Sequence, residues 1–133
     1  MALNKDRNTP TREGADVVHP VAAAKTIYAG ALVVLNATGY AEPGSTATTL
    51  TAAGRAEERV DNSAGANGAL TIRVRRGVFR FSNHGDAVTR TEIGESCYIV
   101  DDQTVAKTDG TGTRSVAGKV IDLDGSGVWV EVG

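Results

Sequence analysis

Apolar and polar residues alternate over short stretches of this chain, and turn-forming residues separate the stretches from one another. From Val17 onward these stretches are cut by Gly, Asn and Asp at spacings typical of an antiparallel barrel or sandwich. The longer periodicity of an amphipathic helix is missing from the sequence. The pattern therefore predicts an all-β fold, either a small antiparallel barrel or a sandwich.

Turn signals between apolar stretches predict three hairpins. The first follows the stretch 31–35, where Asn36-Ala37-Thr38-Gly39 turns the chain. The second joins 55–61 to 70–75 through a loop that contains Asn67-Gly68. The third turns at Asp124-Gly125-Ser126-Gly127. In the less regular stretch 46–53, the Thr-rich start favours a strand over a helix.

The second hairpin carries charges of alternating sign. Four of them share one parity and would lie on one face of a strand: Arg55, Glu57, Arg59 and Asp61. Arg73 and Arg75 point outward from the partner strand, where they would pair with Glu57 or Asp61 at about 0.2–1 kcal/mol for each exposed pair. We therefore expect a solvated face of paired charges here and not a phosphate site.

Before Gly77 the large apolar residues occupy even positions, at Leu70, Ile72 and Val74. After Gly77 they occupy odd positions, at Phe79 and Phe81. A bulge or tight bend at Arg76-Gly77 would reconcile the two halves. In the last strand three valines lie on one side, and Trp129 lies on the other. If the valines form the core, Trp129 is exposed unless something covers it.

Residues 1–16 differ from the rest of the chain because they are polar and lack a periodic apolar face. Pro10 removes a backbone donor and biases Thr9 to an extended conformation. We expect an extended N-terminal arm over 1–16, mobile in the isolated subunit, and a single β-domain over 17–133. The length of 133 residues fits one domain.

Composition and charge narrow the possible partners. The 14 basic and 16 acidic residues give a net charge of −2, so no positive field is available to hold nucleic acid. No apolar run approaches the roughly 20 residues that span a bilayer, and no secretory signal is recognisable. The prediction is a soluble protein made in a cytosol, with neither a nucleic-acid nor a membrane partner.

The sequence contains no constellation typical of catalysis or metal binding. His19, His84 and Cys97 are scattered and lack the short spacings of zinc sites. Cys97 lies in a predicted strand, where a small half-buried thiol is expected. The segment 122–127 fits an Asp-Gly hairpin better than a calcium loop. We expect no enzyme activity, no metal and no cofactor.

Several segments together resemble the capsid cement, or head decoration, proteins of tailed bacteriophages and prophages. The likeness covers nearly the whole chain and is carried by these stretches: Asp6-Arg7-Asn8-Thr9-Pro10, 54–65, 74–81, 98–106, and 116–120 with Trp129-Val130. The resemblance implies a β-barrel-like or β-tulip-like subunit on the exterior of the virion head. It also implies synthesis in the host cytoplasm, the major capsid protein as partner, and a homo-oligomer, with a trimer favoured.

The resemblance suggests how such a subunit stabilises a shell against internal DNA pressure. The arm would become ordered on the capsid at capsomer junctions by adding its backbone to a sheet edge. Its predicted capsid-binding residues are Leu3, Asn4, Asp6, Arg7, Asn8, Thr9, Pro10 and Arg12. A subunit interface is expected at Trp129, near Phe79 or Phe81, because aromatic residues are enriched in interface cores. The alternative is that both Phe side chains belong to the core of one chain.

Other functions remain open from the sequence. A tail-tube or fibre-associated β-domain of a virion would share the composition and the need to oligomerise. A small hydrolase or metal-dependent enzyme would use His84, Asp86 and Cys97. A carbohydrate-binding domain would use Trp129 and the Tyr side chains as stacking platforms.

Overall fold

The structure is a computed structural model that describes residues 1–8 and 14–133. Within these ranges the chain forms short strands and one 3₁₀ turn at Arg90–Glu92. The strands are β1 (Asp16–Pro20), β2 (Lys25–Ile27), β3 (Leu32–Leu35), β4 (Ala41–Pro43), β5 (Thr51–Ala56), β6 (Val60–Asn62), β7 (Thr71–Arg75), β8 (Gly77–Asn83), β9 (Ser96–Ile99), β10 (Thr104–Ala106), β11 (Val116–Asp124) and β12 (Gly127–Val132).

The strands form an open sheet, a closed barrel and a small two-stranded unit. The five-stranded sheet has the order β1-β7-β5-β3-β4, and the five-stranded barrel has the order β10-β8-β12-β11-β9. Strands β2 and β6 pair with each other. Among these strand pairs only β8 with β10 is parallel. The prediction of an all-β fold with a small barrel is confirmed.

Strand β3 connects the two hydrophobic cores because both of its faces are buried. Leu32 and Val34 point into the barrel core, whereas Val33 points into a second core on the other side of the sheet. All three side chains are 0% exposed. The alternation of side chains along a strand therefore couples the sheet to both cores.

Both cores are built mainly from small aliphatic side chains. The barrel core contains Leu32, Val34, Phe81, Val88, Cys97, Ile99, Val105, Ala117, Val120, Val128, Val130 and Val132. The second core contains Val21, Ile27, Ala31, Val33, Ala41, Ala53, Ala56, Val60, Ile72 and Val74. The valines of β12 are core residues, as the alternation predicted.

Two predicted hairpins are confirmed. Strands β3 and β4 pair antiparallel across the turn after Asn36, and β11 pairs with β12 across the turn after Asp124. The Asn36 side chain accepts hydrogen bonds from the backbone N–H groups of Thr38 and Tyr40. The Asp124 carboxylate does the same for Ser126 and Gly127. These side chains replace the backbone partners that a tight turn lacks.

The prediction of one charged strand over 55–61 is wrong. Strand β5 ends at Ala56 and pairs with β7, whereas β6 begins at Val60 and pairs with β2. The buried Asn62 amide explains the separation, because it donates hydrogen bonds to the carbonyls of Val21, Ala22 and Ala66. A buried amide must be hydrogen-bonded, so β6 is held beside β2.

The charge pairing of this region also differs from the prediction. The Arg73 guanidinium binds the Glu58 carboxylate at 3.0 Å, and neither Glu57 nor Asp61 is its partner. Asp61 instead accepts a hydrogen bond from the Thr26 hydroxyl on the neighbouring strand. The change follows from the break after Ala56, which turns Glu58 and not Asp61 toward β7.

The bend predicted at Arg76-Gly77 is present, and it carries the chain from the sheet into the barrel. Strand β7 belongs to the sheet, and β8 belongs to the barrel. The parity of the buried residues changes at this point because the two strands face different cores. The Arg76 side chain donates hydrogen bonds to the carbonyls of Gly14 and Gly133, so it joins the residues just before β1 to the residue after β12.

At Gly118 two barrel strands approach each other closely. A Cβ atom at this position would lie 2.0 Å from the carbonyl oxygen of Glu131 on β12. At Gly125, in the hairpin turn that joins β11 to β12, a Cβ atom would have no neighbour within 4 Å. The barrel therefore tolerates no side chain at Gly118 without a shift of its backbone.

We predict that Gly118→Ala destabilises the protein and that Gly125→Ala does not. The added methyl group forces β11 away from β12, which costs about 1–3 kcal/mol or more by comparison with other overpacked sites. Urea unfolding followed by circular dichroism measures the difference. Equal midpoints for both variants and the native chain would contradict the close approach of these strands.

Candidate functional site

A groove of about 350 Å³ lies where the sheet meets the barrel. It is lined by Gly30, Arg55, Val78, Phe79, Arg80, Phe81 and Trp129. Strand β8 supplies four consecutive lining residues, β12 supplies Trp129, and β5 supplies Arg55. All three aromatic residues singled out in the sequence therefore line one groove.

Trp129 lines the groove and is partly covered by its own chain. Its indole Nε1 donates a hydrogen bond to Asp124 Oδ2 at 3.0 Å. The Arg80 guanidinium carbon lies 5.8 Å from the ring centroid, and Arg80 is paired with Trp129 in the strand register. The Trp129 hydrogen bond, together with backbone donors, lowers the pKa of the Asp124 carboxyl. Trp129 is thus held in place without a second subunit.

Phe79 is half-buried under the guanidinium of Arg55. The Arg55 carbon lies 4.5 Å from the ring centroid, within the range of a cation–π interaction. The same guanidinium binds Glu57 at 2.8 Å. Arg55 is therefore fixed between a carboxylate and a ring, and its position at the groove is defined by both.

Phe81 is an interior residue. It is 5% exposed and packs among the valines of the barrel core. Phe81 fits the alternative that both Phe side chains belong to the core of one chain, whereas Phe79 is only half-buried against that core. Phe81 contributes to the floor of the groove, and only Phe79 and Trp129 present larger surfaces to a partner.

Residues 1–8 of the arm make no hydrogen bond or ion pair with residues 14–133, whereas the carbonyls of Gly14 and Ala15 accept hydrogen bonds from Arg76. Leu3, Asn4, Asp6, Arg7 and Asn8 are all exposed, and Leu3 is 73% exposed. The other predicted capsid-binding residues, Thr9, Pro10 and Arg12, lie outside the described residues. Capsid binding by the arm stays a prediction.

The groups considered for catalysis hold the structure together. Cys97 is fully buried in the barrel, and burial raises the pKa of its thiol to about 12. The Asp86 carboxylate binds Arg114 at 3.1 Å and accepts hydrogen bonds from Thr108, which lower the pKa of that carboxyl. His84 accepts the backbone N–H of Asp86 at Nδ1. Asp86 therefore anchors the loop before β11 to the loop after β8.

The described part of the chain forms neither a metal-binding cluster nor a membrane-spanning helix. Residues 1–8 and 14–133 contain no group of three or more His, Cys, Asp or Glu side chains placed to hold a metal ion. Over the same two ranges no helix is long and apolar enough to cross a membrane.

Sequence reasoning missed the two arginines of the groove. Arg80 and Trp129 are 49 positions apart in the chain, and only the pairing of β8 with β12 places them side by side. Arg55 reaches Phe79 across the junction of sheet and barrel. The alternation of each strand indicated which side chains point outward, but it gave no information on which strands are neighbours.

The chain matches no protein-family model, no curated protein and no solved structure. The likeness to head decoration proteins accordingly rests on the segments quoted from the sequence.

We predict that Cys97 reacts slowly with a thiol reagent in the native protein. Its thiolate is scarce at pH 8 because the pKa is raised to about 12, and burial also blocks access. Labelling at pH 8 should be at least about 100-fold slower than in the urea-unfolded chain. Equal rates in the two states would contradict the burial of Cys97 and reopen a nucleophilic role.

Proposed function

We propose that this protein is a non-enzymatic head decoration protein that binds the outer surface of a phage capsid and stabilises the shell. The observation that carries the proposal is the arm, because residues 1–8 are all exposed beside a β-domain that has its own cores. An apolar side chain such as Leu3, left in solvent, gains from burial against a partner. The resemblance in sequence supplies the identity of that partner, the major capsid protein.

The arm would bind by becoming ordered on the capsid. Its backbone donors and acceptors would extend a sheet edge of the capsid protein, Leu3 and Pro10 would contact apolar surface, and Arg7 and Arg12 would meet carboxylates. Ordering opposes this binding by roughly 1–2 kcal/mol for each residue fixed. A single arm is therefore expected to bind weakly.

A homotrimer is part of the proposal because it offsets the weakness of one arm. Once the first arm has bound, the other two bind intramolecularly, and avidity rises by about 10² to 10⁴ where the geometry allows. A subunit interface at Trp129, near Phe79 or Phe81, stays a prediction, although Phe81 is interior and the Trp129 indole already has a hydrogen-bond partner in its own chain.

The proposed role requires that the protein hold neighbouring capsomers together, and it requires no catalysed reaction. A subunit that contacts two capsomers at their junction resists their separation by the free energy of its contacts. The protein would be made in the host cytoplasm and would act on the exterior of the head. No cofactor, nucleic acid or membrane has a part in this role.

We predict that the purified protein cosediments with undecorated expanded heads of its own phage and that a chain lacking residues 1–8 does not. The deletion removes only exposed residues, so the domain should keep its fold and its solution mass. Binding is quantified by gel densitometry of the pellet over a range of protein concentrations, with mass measured by light scattering.

A chain in which the same eight residues are scrambled is the matched control, because it keeps the length and charge of the arm. It should bind at least about 10-fold more weakly, as expected when backbone pairing and side-chain contacts need one register. Failure of the full chain to bind heads would overturn the proposal, and binding to tails instead would favour a tail-tube or fibre-associated role. Undiminished binding without the arm would place the docking site on the β-domain.

A further inference from the structure

The groove contains an unpaired strand edge. Strand β12 pairs with β8 along Gly77–Phe81, but β10 reaches β8 only at Ser82 and Asn83. The first half of β8 therefore has a neighbouring strand on one side only. The barrel closes where β10 pairs with Ser82 and Asn83, and the edge of β8 before these two residues is left open.

The backbone groups at this edge have a defined direction. Ser82 N–H donates to the Gln103 carbonyl at 2.8 Å, and His84 N–H donates to the Val105 carbonyl at 3.0 Å. Even-numbered residues of β8 thus direct their backbone toward β10. By the alternation of a strand, Val78 and Arg80 direct theirs toward the same side, where within residues 1–8 and 14–133 no strand is paired with them and no turn or loop backbone is bonded to them.

We propose that an extended acidic peptide from another protein binds in this groove by adding a strand to the open edge of β8. The added strand would lie end to end with β10 and would receive hydrogen bonds from the backbone at Val78 and Arg80. Main-chain pairing of this kind supplies affinity, and the side chains along the groove supply specificity.

The side chains of the groove select negative charge. Two of its seven lining residues are charged, Arg55 and Arg80, and Arg55 is already bound to Glu57, so the available positive charge is that of Arg80. Arg80 is exposed, and its guanidinium forms no ion pair within the described part of the chain. Val78 is 42% exposed beside it, and Trp129 also lines the groove. An alternating acidic and aliphatic peptide matches these surfaces.

The arm of a second copy fits the groove less well than an acidic peptide. Residues 1–8 carry Lys5 and Arg7 against Asp6, so the exposed arm has a positive balance like the groove. Like charges at close range oppose binding. Binding of an acidic peptide is independent of the proposed function, because it depends only on the edge and charge of the groove.

Trp129 is the single tryptophan of the chain and lies at the site, so its fluorescence reports on binding directly. The full chain is titrated with the acetylated, amidated hexapeptide Glu-Val-Glu-Val-Glu-Val, and calorimetry provides an independent isotherm. We expect saturable binding, at least about 10-fold tighter than that of Lys-Val-Lys-Val-Lys-Val. No binding, or equal binding of the two peptides, would overturn the proposal.

Strand addition is tested on the peptide so that the protein is unchanged. Two further versions of the acidic hexapeptide are made. In one the backbone nitrogens of the odd residues are methylated, and in the other those of the even residues, so that each version blocks one edge of the peptide. One version should lose at least about 10-fold in affinity, because its methylated edge faces β8, and the other should bind nearly as the parent does. Equal affinities for the parent and both versions would show a charge contact without strand addition and would overturn the mode proposed.

The site itself is tested by Arg80→Ala against Lys25→Ala. Both variants lower the net charge by one, but Lys25 lies on β2, whose strand partner is β6 and not the barrel. Calorimetry should show about 10-fold weaker binding of the acidic peptide to Arg80→Ala and no change for Lys25→Ala. Equal losses in both variants would indicate general charge attraction and reject the site. If a peptide of residues 1–16 bound more tightly than the acidic hexapeptide, the groove would be assigned to the arm and an acidic partner would be rejected.

Discussion

The double burial of β3 is the constraint on which the rest of the structure depends. Leu32 and Val34 belong to the barrel core and Val33 to the second core, so one short strand transmits the packing of each unit to the other. A polar side chain at any of these positions would lack a hydrogen-bond partner, and a larger one would displace a neighbouring sheet. The rigid junction that results also fixes the groove, because Arg55 on one side faces β8 on the other.

Both cores consist mainly of small aliphatic side chains, so the larger and charged residues lie at the surface. Valine and alanine allow strands to approach closely, and Gly118 allows β11 and β12 to come closer still. Arg80, Trp129 and Arg55 have no place in such cores and collect where the two units meet. The distribution of side-chain size thus explains why the aromatic groove lies at the junction and not inside the barrel.

Much of the local structure could be predicted from the sequence, whereas the pairing of distant strands could not. The hairpins after Asn36 and Asp124 depend on neighbouring residues, and the alternation of β12 showed its buried face. The division of 55–61 into two strands depends on Asn62, whose carbonyl partners lie up to 41 positions away. For the site, the aromatic residues were found by their type, and Arg80 was missed because its neighbour on β12 is fixed only by the closed barrel.

The place of β12 between β8 and β11 has a consequence for synthesis of the chain. The barrel cannot close until Gly127–Val132 has left the ribosome, because this strand pairs on both sides. Until then the part of β8 from Gly77 to Phe81 has no strand on either side, and its two phenylalanines have no completed core. Such intermediates are prone to edge-to-edge aggregation, and the risk lasts for as long as translation proceeds from Gly77 to Val132. Slow translation through this segment would then lower the yield of folded protein.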